Sequence, residues 1–294
     1  MTDVRRIDLL DPAEVARLGG IEIVAQGVVE GFLAGIHRSP FRGFSVEFTE
    51  HRAYQPGDEP RYLDWKILAR ADRLFVKQFE EETNLRAMLL VDASRSMAWR
   101  GAPGRLTKRA YADRLAAALA LILLRQRDAT GLITFDEAVR QVIPARARTG
   151  QWSRLVRGLL DTPDGRGTAA EAALLHLTGL LARRGLVVLV SDLLFDRALA
   201  LTALRYLRHR GHNVIVFHVM DPAEAELAGP PEVRLRDPES AASVVVRPRE
   251  LARAYGETVR REVAAWRSAC RRHGIGYHHV LTDLPFGMAL RLLA

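Results

Sequence analysis

Five short apolar runs that alternate with helix-like stretches constrain the fold of this 294-residue chain more than any other feature. The runs are residues 87–91, 130–135, 186–190, 213–219 and 276–281. Residues with helical periodicity lie near 106–127, 150–160, 168–184, 196–210 and 249–273. Strands that alternate with helices are typical of a parallel sheet covered on both faces. We therefore predict a three-layer α/β/α domain with a doubly wound, mostly parallel sheet, with residues 138–143 as an edge strand and 233–246 as an excursion.

Residues 1–85 follow a different pattern. Apolar residues recur at helical spacing over residues 12–36, which predicts one amphipathic helix. Residues 45–54 and 74–80 have alternating polar and apolar side chains, which predicts two strands that pair as a small sheet. The chain therefore divides into residues 1–85, an N-terminal helix with a small β segment, and residues 86–294, the α/β domain.

The composition excludes several classes of protein. A hydrophobic fraction of 48% is enough to form a core, and no apolar run is long enough to span a bilayer. The first residues lack the apolar region of a signal peptide, and the single cysteine, Cys270, excludes an intramolecular disulfide framework and a cysteine zinc cluster. These features predict a cytoplasmic protein with no membrane span.

The basic charge is concentrated after residue 85. Residues 1–85 carry 11 basic and 15 acidic side chains, a net charge of −4, and residues 86–294 carry 32 and 20, a net charge of +12. A basic domain can attract nucleic acid, but no nucleic-acid motif or stacking platform accompanies the charge. We therefore favour a solvated arginine-rich face, expect no nucleic-acid partner, and keep a basic nucleic-acid-binding domain as an alternative.

The first candidate functional residues follow the first apolar run. Asp92, Ser94 and Ser96 are spaced D-x-S-x-S directly after residues 87–91. Carboxylate and hydroxyl oxygens are ligands of hard cations such as Mg²⁺. The same residue types also cap helices, and this segment alone does not decide between the two roles.

Two later loops complete the pattern. Thr168 follows the glycine-containing segment 165–167, and Asp192 follows the apolar run 186–190. Ligands bind at the carboxyl ends of strands in a parallel α/β sheet, where such loops converge. The predicted site is therefore a cup of five oxygen ligands that holds one Mg²⁺ or Mn²⁺. The ligands are Asp92, Ser94, Ser96, Thr168 and Asp192.

The order D-x-S-x-S, then T, then D resembles the metal-ion-dependent adhesion site (MIDAS) of von Willebrand factor A domains. All five positions of that pattern are filled in this chain. The resemblance implies a cation with one open coordination position, which a Glu or Asp of a protein partner would fill.

A second resemblance rests on three strings: H-R-A-Y-Q-P-G-D-E-P-R-Y-L-D-W-K (51–66), A-R-A-D-R-L-F-V-K-Q-F-E-E-E (69–82) and D-A-S-R-S-M (92–97). They closely resemble the domain-of-unknown-function 58 family, over roughly residues 35–220. The family pairs such a segment with a von Willebrand A-like domain and is commonly encoded beside MoxR-type AAA+ ATPases. The resemblance therefore implies a MoxR-type partner in chaperone-like maturation or metal insertion. For the P-G-D and D-W-K motifs we predict a fixed turn and a buried tryptophan, Trp65, that docks the segment.

The main alternative is an enzyme. A phosphatase-like α/β domain also places an aspartate after its first strand, and uses it as a nucleophile beside a metal and a cationic side chain. The haloacid-dehalogenase pattern requires D-x-D, but Ser94 stands at the second position, and no lysine follows Lys108. We therefore predict a metal-dependent protein-interaction module without catalytic residues, and keep a metal-dependent phosphatase-like hydrolase as an alternative.

Overall fold

The computed structural model describes two compact units of the chain. The described residues are 20–35, 47–55, 63, 65, 67–68, 74–80, 85–165, 167, 170–227, 231–236 and 243–293. Described residues between Pro40 and Leu85 form one unit, and those before and after them form the other. One predicted ligand, Thr168, lies outside the described residues.

The strands in chain order are β1 (Glu47–Ala53), β2 (Phe75–Glu80), β3 (Arg86–Asp92), β4 (Ala129–Phe135), β5 (Val139–Arg146), β6 (Leu186–Ser191), β7 (Asn213–Met220), β8 (Val233–Arg236), β9 (Ser243–Val246) and β10 (Gly276–Leu281). The helices are α1 (Ile21–Gly35), α2 (Lys108–Arg125), α3 (Gln151–Asp161), α4 (Glu171–Leu180), α5 (Arg197–His209), α6 (Pro222–Glu226), α7 (Pro248–Arg272) and α8 (Phe286–Arg291). A short 3-10 helix covers Arg95–Ala98.

Six strands form the main sheet, in the order β10-β7-β6-β3-β4-β5. All neighbours are parallel except β4 and β5, so β5 is an antiparallel edge strand. Every residue of β6 is buried, as are the last four of β3. Strands covered on both faces need such continuous apolar runs, which is why these segments fold at the centre of the sheet.

Helices cover both faces of this sheet. Leu177 of α4, Leu204 of α5 and Trp266 of α7 share one core cluster with Leu90 of β3. The helix α2 contacts β3, β4, β6 and β7, and also packs against α1, α3 and α8. Successive strand residues point to opposite faces, so both faces of β3 are used. The predicted three-layer α/β/α fold is confirmed.

The N-terminal helix belongs to the α/β unit. We predicted it within residues 1–85 together with the small β segment, but α1 packs against α2. Its apolar stripe, which includes Val24, Val28 and Val29, is buried. An amphipathic helix must cover such a stripe, and α2 provides the apolar surface. Of the predicted helix 12–36, residues 12–19 and 36 lie outside the described part.

Two small sheets accompany the main one. The predicted pairing of β1 with β2 is confirmed as an antiparallel pair, with Glu47 opposite Glu80 and Ala53 opposite Phe75. The excursion predicted over residues 233–246 contains the antiparallel pair β8 and β9. Among the described helices, none has both the length and the apolar character needed to cross a membrane.

The prediction that Trp65 is buried is wrong. Its side chain is 61% exposed. The P-G-D residues 56–58 and the neighbours Asp64 and Lys66 lie outside the described residues. Among the described residues, Trp65 is therefore exposed to solvent.

We expect Trp65→Ala to change the free energy of unfolding by less than about 0.5 kcal/mol, as surface substitutions usually do. The matched control is Trp266→Ala, whose side chain is only 3% exposed. That change should cost about 3–5 kcal/mol, typical of a large aromatic truncation in a core. Urea denaturation of both variants measures the difference, and equal losses would contradict the exposure of Trp65.

Candidate metal centre

The carboxyl ends of β3 and β6 lie side by side. The two strands are parallel neighbours, and Val91 is opposite Val190. At these ends the Ser191 hydroxyl donates a 2.6 Å hydrogen bond to Oδ2 of Asp92. The first and third predicted loops therefore meet, as the sequence predicted.

The loop after β3 collects oxygen atoms. The Ser94 amide donates to Oδ1 of Asp92 at 2.8 Å, which curls the loop back over the carboxylate. The hydroxyl oxygens of Ser94 and Ser96 are 3.2 Å apart, and all three side chains are buried. Helix capping does not account for them. Ser94 precedes the 3-10 helix without a side-chain capping bond to the described residues, and α2 is capped by Thr107.

The second loop contacts the first through its backbone. The Gly165 amide donates to the Ala93 carbonyl at 2.6 Å, and the Arg95 amide donates to the Gly167 carbonyl at 3.2 Å. Gly167 directly precedes Thr168 in the chain. The described part of this loop thus lies beside Ser94 and Ser96, where the prediction requires it.

Asp192 is held by a strained turn. The next residue, Leu193, has φ of 55°, and its side chain is 4% exposed. The left-handed region costs a residue with a Cβ roughly 1–2 kcal/mol. The turn brings the Leu194 amide to Oδ1 of Asp192 at 3.2 Å and the Leu193 amide to the Ser191 hydroxyl at 2.9 Å. Such strain persists where the surroundings enforce it, often at functional sites.

A buried lysine completes the cluster. The Lys108 ammonium, at the start of α2, donates to Oδ2 of Asp192 at 2.8 Å and to Oε1 of Glu224 at 2.6 Å. The Lys108 side chain is fully buried. Burial alone lowers the pKa of Lys108, but the two carboxylates outweigh it and raise that pKa above its usual value. The lysine is therefore charged and neutralises part of the acidic cluster.

The cluster retains negative charge that suits a divalent cation. Burial, and then the charge of Asp192, raise the pKa of Asp92 to about 6. Burial also raises the pKa of Glu224, which is bonded to Lys108. When Asp92, Asp192 and Glu224 are all ionised, the one ammonium of Lys108 leaves two negative charges in the cluster. In the described chain no three His, Cys, Asp or Glu form a metal-ligating group, so a cation here depends on hydroxyls as well. Hard oxygen donors of this kind fit Mg²⁺ or Mn²⁺.

Sequence reasoning missed Lys108 and Glu224, and it placed Ser191 in the third loop beside Asp192 without giving it a role. Lys108 and Glu224 come from the starts of two helices, and neither follows the strand pattern that revealed the aspartates. One signal was available: the chain has 3 lysines among its 43 basic residues. In a chain this rich in arginine, any lysine is unusual.

A pair of histidines was also missed, because it forms between neighbouring strands. His218 of β7 lies opposite His279 of β10, with ring centroids 5.2 Å apart, and Nδ1 of His218 is 2.7 Å from the Tyr277 hydroxyl. Burial, and then His279, lower the pKa of His218 to about 3, so it is neutral. His278 instead contacts Phe217.

Comparison with known proteins identifies the family. The family model described as "Protein of unknown function DUF58" matches residues 50–265. The chain belongs to this family. It is 30% identical, over 275 residues, to uncharacterized proteins of Mycobacterium bovis (Mb1516) and Mycobacterium tuberculosis (Rv1480), and the alignment covers 91% of this chain and 83% of each relative. The resemblance to the domain-of-unknown-function 58 family, drawn from the strings at residues 51–66, 69–82 and 92–97, is thereby confirmed.

Solved structures similar to this DUF58 protein include BatB from Bacteroides thetaiotaomicron, at 16% identity and a TM-score of 0.49 over 71% of this chain and 96% of that one. An aerotolerance-related membrane protein from Bacteroides fragilis aligns over the same shares at 18% identity and a TM-score of 0.48. The SpRpn10 VWA domain aligns over 47% of this chain and 76% of that one, at 15% identity and a TM-score of 0.36. These scores are too low to support a functional inference.

Proposed function

We propose that this DUF58 protein is a metal-dependent protein-interaction module. Asp92, Ser94, Ser96, Thr168 and Asp192 would hold one Mg²⁺ or Mn²⁺, and a Glu or Asp of the partner would bind to it. The observation that carries the proposal is the convergence of buried aspartate and serine oxygens at the ends of β3 and β6, in a cluster with two uncompensated negative charges. Catalysis is not part of the proposal.

The neighbouring residues have definable tasks in this site. Ser191 and the Ser94 amide each occupy one oxygen of Asp92 and so fix its orientation. Lys108 takes up part of the charge of Asp192. A cation beside a partly neutralised ligand set keeps more of its own charge, which favours an incoming carboxylate. When bound, the ion supplies a coordination position that Mg²⁺ commonly leaves to water.

The surface around the site supports a protein partner. Trp99 follows the 3-10 helix and is 42% exposed, and Leu194 follows Asp192 and is 53% exposed. Arg95 is exposed between the two serines. Aromatic and arginine side chains with exposed apolar surface are enriched in interfaces.

The first test is metal binding. We expect calorimetry on chelator-treated protein to detect Mg²⁺ or Mn²⁺, without a preference for Zn²⁺, because all the donors are hard oxygens. The double variant Ser94→Ala with Ser96→Ala should abolish binding. The matched control is Ser153→Ala with Ser268→Ala, two exposed serines on helices, which should leave it unchanged. No heat and no thermal shift at millimolar Mg²⁺ or Mn²⁺ would exclude the site.

The second test is the partner. We propose a MoxR-type AAA+ ATPase, on the gene neighbourhood that the family resemblance implies. Co-purification of the two proteins should succeed in Mg²⁺ and fail in EDTA, and Asp92→Ala or Thr168→Ala should weaken it severely. When one of its ligands is removed, the ion is bound only weakly. The partner carboxylate then meets Asp192 with no cation between them, and the two like charges repel. A complex that survives both EDTA and Thr168→Ala would show that the site is not the contact.

One observation favours the phosphatase alternative. The structure brings Lys108 to Asp192, so a lysine is present at the site although no lysine follows Lys108 in the sequence. The Lys108 ammonium donates to Asp192 and Glu224, however. These two carboxylates, and not Asp92, therefore neutralise its charge. We therefore expect no hydrolysis of p-nitrophenyl phosphate in Mg²⁺. Hydrolysis that disappears in Asp92→Asn would establish the enzyme instead.

A further inference from the structure

A cavity of about 480 Å³ opens directly beside the candidate metal centre. Asp192 and Lys108 form part of its wall, and the cavity continues between the loop after β6, the end of β7 and the helix α7. Asp192 therefore belongs both to the predicted ligand set and to the cavity. A molecule bound at the cation through a carboxylate would have this space next to its anchoring group.

The wall away from Asp192 is apolar and aromatic. Phe195 and Trp266 form an edge-to-face pair with ring centroids 6.4 Å apart, and Val259, Val263 and Met220 lie around them. Cavities of roughly 300–1,000 Å³ with such walls are typical of sites that enclose a ligand. The size and the lining suit an aromatic or branched aliphatic group.

The polar groups of the wall leave little for a charged ligand. Lys108, Asp192 and Glu224 satisfy one another. Tyr255 is half-buried, and within the described residues its hydroxyl makes no hydrogen bond. The other polar side chains of the wall are bonded to neighbours of their own: Arg197, Glu262, Thr258 and His218. The Tyr255 hydroxyl thus remains as a donor for a carbonyl. A backbone carbonyl of a peptide would satisfy this donor.

We propose that this cavity takes an aromatic or branched aliphatic side chain of the same protein partner whose carboxylate binds at the cation. The inference rests on the proposed function and adds the chemistry of the partner: an acidic residue with a large apolar neighbour. The exposed Leu194, which lines the cavity and directly follows the turn at Asp192, connects the two subsites. The apolar subsite supplies the selectivity that a bare carboxylate lacks.

The test compares acetate with 4-phenylbutyrate, two carboxylates that differ in their apolar tail. Amide NMR titrations of the full chain in Mg²⁺ should show 4-phenylbutyrate binding at least about tenfold more tightly than acetate, because the phenyl tail is removed from water. Val259→Phe fills the cavity from α7 and should reduce the affinity for 4-phenylbutyrate to that for acetate. Ala264→Phe, at an exposed position of the same helix outside this cavity, should retain the difference. Thr258→Phe, from an exposed position on the cavity rim, serves if Val259→Phe does not fold.

The outcomes separate this inference from the proposed function. Equal affinities for the two carboxylates in the wild type, or an unchanged preference in both the Val259→Phe and Thr258→Phe variants, would overturn the apolar subsite while Mg²⁺ binding stands. A protein that shows no Mg²⁺ response and no acetate binding would overturn the proposed function first, and the subsite with it. Tight 4-phenylbutyrate binding that is the same in Mg²⁺ and in EDTA would overturn the link between the cavity and the cation.

Discussion

Lys108→Met is expected to lower the free energy of unfolding by about 3–5 kcal/mol at neutral pH, the usual cost of removing one partner from a buried ion pair. The ammonium is fully buried and bonded to Asp192 and Glu224. Without it, the cluster with Asp92 carries three negative charges and no positive one. Urea denaturation in EDTA measures the loss.

Two further variants identify the cause of that loss. Glu224→Gln removes one of the unpaired charges, so in combination with Lys108→Met it should restore part of the stability. Arg154→Met, which removes an exposed cation from α3, should change the free energy of unfolding by less than about 0.5 kcal/mol. Millimolar Mg²⁺ should stabilise Lys108→Met more than wild type, because the ion adds positive charge beside Asp192. A loss below about 1 kcal/mol would contradict a paired, buried ammonium.

Gly165→Ala is expected to reduce Mg²⁺ affinity by at least about tenfold and to destabilise the fold by about 1–3 kcal/mol, the usual cost of overpacking. A Cβ at this position would lie 2.8 Å from the Ala93 carbonyl oxygen and 2.7 Å from Oδ2 of Asp136. Both atoms are well held: one belongs to the backbone, and Asp136 is bonded to Arg140. The loop at Gly165 must therefore move away from Ala93 and Ser94.

Gly179→Ala provides the control. Gly179 lies in α4 with no atom within 4 Å of an added Cβ, and alanine is favoured over glycine in helices by about 1 kcal/mol. We expect this variant to bind Mg²⁺ as wild type does and to be equally or more stable. Calorimetry on both variants decides the matter, and unchanged affinity in Gly165→Ala would show that the second loop does not contribute a ligand.

The sheet was predictable because its strands are buried on both faces. Continuous apolar runs such as 186–190 are expected either in central strands or in buried helices. Their short length, together with the helices between them, indicates strands. The placement of α1 was not predictable, because an apolar stripe shows that a helix packs against another element but does not identify that element. The prediction that Trp65 is buried failed because most large aromatic residues are buried, but the sequence alone does not exclude an exposed one.

The candidate site was predictable where it depends on strand ends. Asp92 and Asp192 follow apolar runs, and a parallel sheet brings such positions together. Lys108 and Glu224 come from helix starts 116 residues apart, and only the tertiary fold, which brings the starts of α2 and α6 together, joins them. The left-handed turn at Leu193 was equally hidden, since leucine is not a residue that signals a positive φ.

The antiparallel edge strand β5 has a consequence for self-association. An exposed strand edge is a template on which another chain can add a strand. Pro144 lacks the amide that such a ladder requires, and Arg140 and Arg146 place exposed cations along the same strand. Copies of this protein that meet at β5 thus encounter a missing donor and the exposed cation of Arg146, whereas Arg140 is paired with Asp136. Concentrated preparations should resist fibril growth from this edge, and a neutral replacement of Arg146 is the change that would expose it.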